Sequence, residues 1–130
     1  MPVKASAKGV RMSPRKVREV AALVRGRSVA DALVMLSHTP RRAATPVQKV
    51  IASAKANAEH NNNLKPDTLV ITEISVTSAT RIKRFRPAAQ GRALPFQRKL
   101  SHIFVTVDGT ERNKPVKANV DEPKEKKEAK

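Results

Sequence analysis

Val3, Ala5 and Ala7 alternate with Lys4, Ser6 and Lys8 at the start of the chain. This two-residue period belongs to a strand with one buried face and one cationic face. The period changes at Ser13. In "SPRKVREVAALVRG", Val17, Val20, Ala21 and Val24 recur at helical spacing, Ser13 stands at the cap, Pro14 at the first helical position and Gly26 at a left-handed stop. Arg15, Arg18 and Arg25 are left for solvent or a ligand. "SVADALVML" repeats the helical spacing with Val29, Ala32, Leu33 and Leu36, opened by Ser28 and Asp31 at capping-box distance.

A third helix carries Val47, Ile51, Ala54 and Ala58 on one stripe and runs out in "HNNN". Its start has two readings, because Thr39-Pro40 and Thr45-Pro46 both resemble a cap followed by a first-turn proline; from the earlier start, Pro46 would bend the helix. The alanines permit close approach to a sheet or to a nucleic-acid backbone. Beyond the loop from Asn61 to Pro66, "DTLVITEISVTSAT" and "SHIFVTVDG" are rich in β-branched residues and read as strands.

Between these strands lies "RIKRFRPAAQGRALPFQRK", residues 81–99, with seven cations, no acid and a glycine near its middle. The interval far exceeds an ordinary hairpin loop, so the strands are expected to continue into it. Pairing residues whose numbers sum to 181 sets Ile74 against Val107, Val76 against Val105 and Phe85 against Phe96, with the turn at Gln90 and Gly91. Arms of roughly 15 residues would then reach about 40 to 50 Å. The expected organisation is a single domain over residues 1–109, with the hairpin over about 68–108 and its tip over about 85–95. Residues 110–130, poor in large apolar residues and mixed in charge, read as a disordered tail.

Composition adds a partner to this outline. The chain of 130 residues has 27 Lys and Arg against 11 Asp and Glu, a net charge of +16. Residues 1–109 hold 20 of the cations and 6 of the anions, so the folded part carries the field. Small domains ordinarily carry a net charge of about 2 to 8, and a surplus this large points to a polyanion, nucleic acid before a membrane. No run of about 18 apolar residues and no signal-type N-terminus occurs, so the expected setting is cytoplasmic with no membrane partner. Without cysteine, and with only His38, His60 and His102 far apart, neither a disulfide framework nor a metal site is expected, and no cofactor is called for.

Enzyme signatures are missing as well. There is no phosphate-binding loop, dinucleotide fingerprint, cysteine nucleophile or H-E-x-x-H motif, and the body's carboxylates are sparse. A binding role accounts for more residues: Lys and Arg neutralise phosphates, while Arg planes and Phe rings stack on unpaired bases. An arm longer than a duplex groove fits a large folded RNA best. Arg41 and Arg42 fall near the start of the third helix, where a phosphate would relieve the conflict between cations and the helix dipole. His102 reads as a polar residue bonding backbone or RNA. A free-standing RNA chaperone or nucleoid-type binder is the alternative.

Four blocks in order, "RMSPRKVREVAALVRG", "SAKANAEHN", "IKRFRP" followed by "QGRA", and "KLSHIFV", resemble the bacterial large-subunit ribosomal protein 22 family. The resemblance implies an α+β fold, three helices packed on a small three-stranded antiparallel sheet with a long protruding hairpin. It also implies binding to large-subunit ribosomal RNA, help in subunit assembly, neighbouring large-subunit proteins, and a hairpin lining the nascent-peptide exit tunnel, with no homo-oligomer. Implied RNA contacts are Arg11, Ser13, Pro14, Arg15, Lys16 and Arg18 in the first block, and Asn57, His60 and Asn61 in the second. Hairpin contacts are Arg81, Lys83, Arg84, Arg86, Arg92, Arg98, Lys99, Ser101 and His102. The tip nearest the nascent chain is Gln90, Gly91, Arg92 and Ala93. The chain departs from the family pattern at Ala88, Gln90, Leu94 and Pro95.

Overall fold

The computed structural model describes residues 2–111. Its elements are strand β1 (Val3–Val10), helices α1 (Pro14–Val24), α2 (Val29–His38) and α3 (Ala44–Asn61), and strands β2 (Val70–Pro87) and β3 (Ala93–Asp108). The strands form one antiparallel sheet in the order β1-β3-β2. The expected α+β architecture is thus the observed one: three helices on a three-stranded sheet, with β2 and β3 running on past it as a hairpin. The charged-tail expectation lies outside the described residues from 112 onward. Thr110 and Glu111 are tied to the body, with Lys65 N–H donating to Thr110 O at 3.0 Å and Leu64 bridging to Glu111.

One face of the sheet meets the helices. Val3 and Ala5 of β1, Ile71, Ile74 and Val76 of β2, and Ile103, Val105 and Val107 of β3 are all buried. Against them lie Val17, Val20, Ala21 and Val24 of α1, Val29, Ala32 and Leu36 of α2, and Val47, Val50, Ile51, Ala54 and Ala58 of α3. α3 packs on β1 and β3, and α1 on β2. Its buried alanines let α3 sit close to the sheet, so the alanine stripe serves packing.

Local chemistry explains most boundaries. Pro14 opens α1 after Ser13, although the Ser13 side chain makes no cap hydrogen bond. Ser28 Oγ accepts from Asp31 N at 3.1 Å and donates to the Asp31 carboxylate at 2.7 Å. Neither Thr39 nor Thr45 caps α3: its cap is Ala43, Pro46 falls within the first turn, and the proline has no helix to bend. Gly26 ends α1 at φ +73 and donates to Ile71 O at 3.0 Å. A Cβ there would meet nothing within 4 Å, so the conformation alone demands glycine. Gly26→Ala is expected to cost about 1 kcal/mol, read as a fall of several degrees in Tm with the fold unchanged.

β2 lies at the sheet edge, and the helical layer covers that edge only as far as the body extends. The α1–α2 connection pairs with it: Ile71 N donates to Arg27 O at 2.9 Å and Val29 N to Leu69 O at 2.9 Å. Farther along, Arg25 Nη2 donates to Ile74 O at 3.2 Å and Arg18 Nε to Val76 O at 3.1 Å. Beyond Val76 the hairpin leaves the body, and from Thr77 through Leu100 no residue is buried.

The hairpin register differs from the expected one. Ile74 pairs with Val105, Val76 with Ile103, and Phe85 with Pro95. Two irregularities, between Ile71 and Glu73 and between Ser78 and Arg81, each place one extra residue on β2 and reset the pairing outward. Near the base the true register is two residues from the expected one, which keeps the apolar residues on their face. Farther out it is one residue away, which separates the phenylalanines: Phe96 stands opposite Arg84, and Phe85 lies on the other face. No Phe85–Phe96 pair closes the arm. Arg86 instead lies over the Phe96 ring, 5.0 Å from its centroid. The turn does fall at Gln90 and Gly91, both in the left-handed region, closed by Ala88 N donating to Arg92 O at 2.8 Å.

Candidate nucleic-acid interface

The start of α1 and the approach to α3 come together around an open cleft of about 780 Å³. Its walls include Arg11, Ser13, Arg15 and Lys16 from one segment and Arg41 and Arg42 from the other. Six residues singled out from sequence on two distant stretches therefore share one site. Arg41 and Arg42 precede the Ala43 cap rather than occupying the first turn of α3. Arg41 Nη1 donates to Glu19 Oε2 at 2.6 Å, which ties the α3 approach to α1. Both side chains are at least half exposed, so the pair contributes little stability and chiefly orients the guanidinium. Five guanidinium or ammonium groups against one carboxylate suit the cleft to consecutive phosphates of a nucleic-acid backbone.

The hairpin forms a second cationic surface. Arg81, Lys83, Arg84, Arg86, Arg92, Arg98 and Lys99 are all exposed along it. Few are held by the protein itself: Arg84 bonds the neighbouring Lys83 carbonyl at 2.8 Å and Arg81 reaches Gln97 at 3.5 Å. The tip residues Gln90, Gly91, Arg92 and Ala93 are exposed at the turn. His60 and Asn61 are exposed at the C-terminal end of α3, with Asn57 half-buried one turn earlier. An 18-residue helix spans about 27 Å, so this third group is well separated from the cleft.

Four expected contacts sit differently. Pro14 is buried beneath the first turn of α1. Ser101 is fully buried, because inward-facing residues of β3 continue to that point, and its Oγ has no partner among the described residues. Neither side chain is presented to an external ligand. Arg18 is exposed but commits Nε to the Val76 carbonyl of the β2 backbone. His102 Nδ1 accepts from Gly9 N at 3.0 Å, securing β1 where its register shifts between Ala7 and Val10. Glu19, the acidic member of the cleft, is one of the body's sparse carboxylates, and its pairing with Arg41, 22 residues away, has no local sequence signal.

Among the described residues, no group of three or more His, Cys, Asp or Glu is placed to hold a metal. No helix among them is long and apolar enough to cross a membrane.

Comparison with known proteins places this geometry. The sequence pattern of the family described as "Ribosomal protein L22p/L17e" matches residues 5–108. "Large ribosomal subunit protein uL22" of Oceanobacillus iheyensis is 51% identical over 107 residues, covering 82% of this chain and 95% of that protein. The proteins of the same name from two Synechococcus strains, JA-3-3Ab and JA-2-3B'a(2-13), are 50% and 51% identical over 105 residues, covering 81% of this chain and 85% of each relative. A match through the helices, the sheet and the whole hairpin, at half identity, establishes that the chain belongs to the ribosomal protein L22p/L17e family.

Proposed function

We propose that the protein binds large-subunit ribosomal RNA in two modes, docking its body through the α1–α3 cleft and threading its hairpin between RNA segments. As a member of its family it is a structural, non-enzymatic component of the large ribosomal subunit. The observation that carries the RNA reading is the hairpin itself. From Thr77 through Leu100 nothing is buried, while seven cations and no acid occupy residues 81–99. A two-stranded ribbon without a buried face is marginal in water, and the repulsion among its cations disfavours it further. Phosphates supply what the ribbon lacks, and their counterions are released as the arm becomes ordered.

In this reading the body sits near the outer mouth of the nascent-peptide exit tunnel and the hairpin lines the tunnel wall, with Gln90, Gly91, Arg92 and Ala93 nearest the emerging chain. Ribosomal RNA and neighbouring large-subunit proteins are the lasting partners, the nascent polypeptide a transient one, and the chain acts as a single copy that assists subunit assembly. A diffusible RNA chaperone with the same charge would be held by surface ion pairs alone. Washing large subunits at high salt separates the two: an interleaved arm stays with the particle, whereas recovery of the protein in the wash would overturn the proposal.

A further inference from the structure

The sheet face turned away from the helices carries an aromatic pair that neither the core nor the two cationic surfaces uses. β3 is the central strand, and every irregularity in the sheet places its extra residue on β1 or β2. Alternation along β3 is therefore unbroken. Ile103, Val105 and Val107 point into the core, and Phe96, Arg98, His102 and Phe104 share the opposite face.

Phe104 is 36% exposed in mid-strand, and it is one of only three phenylalanines in a chain without Trp or Tyr. Its cross-strand neighbours are small, Ser6 on β1 and Ser75 on β2, so nothing large leans over the ring from either side. His102 packs beside it, with ring centroids 6.4 Å apart and planes tilted by 58°. The Gly9 N–H bond to Nδ1 anchors the imidazole. Exposed Lys4 and Lys8 flank the pair on β1; the acids on this face are Glu73, opposite Thr106 and two rows from His102, and Asp108 at the far end of β3.

Rings held on an open sheet face with lysines along one margin match the chemistry of an unpaired nucleotide: a base stacks on the aromatic plane and its phosphates meet the ammonium groups. A paired base offers no free face for this, and a wholly protein-facing role would call for apolar neighbours around Phe104 in place of two serines. We infer that Phe104, with His102, forms a stacking platform for an unpaired base of RNA on the solvent face of the sheet. This site is separate from the α1–α3 cleft, and it rests on the RNA-binding reading above. Along β3 the same face continues through Arg98 to Phe96, where Arg86 already covers the ring, so the free platform is on the body.

Because the chain has no native indole, Phe104→Trp places a single fluorescent reporter at the site. Titrating the full-length variant with a short single-stranded oligoadenylate should quench its fluorescence, and a duplex RNA of equal length should not. Phe104→Thr should weaken oligoadenylate binding about tenfold, in the range of one base–aromatic stack, while leaving the salt slope unchanged. RNA binding that leaves the indole fluorescence of Phe104→Trp unaltered, with undiminished binding by Phe104→Thr, would overturn the platform while leaving the RNA-binding function standing. Failure of every variant and of the parent protein to bind either RNA would overturn both.

Discussion

Excising residues 81–99 and closing the strands with an Asn-Gly turn is expected to leave the body folded and to reduce incorporation into large subunits, in competition with the intact chain, by more than tenfold. All the core side chains lie outside the excised segment: every buried residue on β2 falls at or before Val76, and every one on β3 at or after Ser101. The thermal midpoint should move by no more than a few degrees. The segment does carry seven cations, and each phosphate that is no longer neutralised lowers the salt slope of RNA binding by about 0.7 to 0.9. Removing the arm should therefore flatten the slope by about 5. Incorporation equal to that of the intact chain would mean that the arm is a passive projection.

The cleft is expected to respond differently. Replacing Arg15, Lys16, Arg41 and Arg42 by Gln removes four of the five cations around Glu19. Stability should change little, because these side chains are exposed and the Arg41–Glu19 pair is a surface pair, worth under about 1 kcal/mol. RNA affinity should fall at least about 100-fold at moderate salt, with the slope reduced by about 3. Restoring Arg41 and Arg42 should recover roughly half of the slope change. An unchanged slope would remove the cleft from the interface, and a collapse in Tm would show that these cations hold the body together.

The secondary structure was legible because local chemistry and long-range packing agree. The β1 alternation, the Pro14 and Gly26 limits of α1 and the Ser28 cap of α2 are decided within a few residues, and the structure keeps them. The hairpin register was not legible to that depth. Its two irregularities on β2 sit among β-branched and small polar residues that show no distinct local signal, and each shifts every later pair by one. An even slip preserves the buried face, so the apolar pattern alone could not detect it; the odd slip farther out moved Phe85 and Phe96 to opposite faces.

The functional residues divide along the same line. Type and spacing mark the cationic segments, but which of them come together is decided in space. Arg41 and Arg42 reach the Arg11–Lys16 segment only because α3 packs across the sheet beside α1. Ser101 lies within a polar run, "KLSH", yet falls on the inward side of β3 and is fully buried. Phe104 alternates with Ile103, Val105 and Val107, so its place on the outward side of β3 beside His102 was legible; that the face is open there follows only from the sheet order and its small neighbours Ser6 and Ser75.

The central claim is that body and arm engage different parts of one large RNA. Hydroxyl-radical footprinting of the full chain on large-subunit ribosomal RNA tests it most directly. Protections should fall in several secondary-structure domains of the RNA, with one subset absent for the arm-excised protein and another for the cleft variant. Protection confined to a single stem, and abolished together in both variants, would contradict the account.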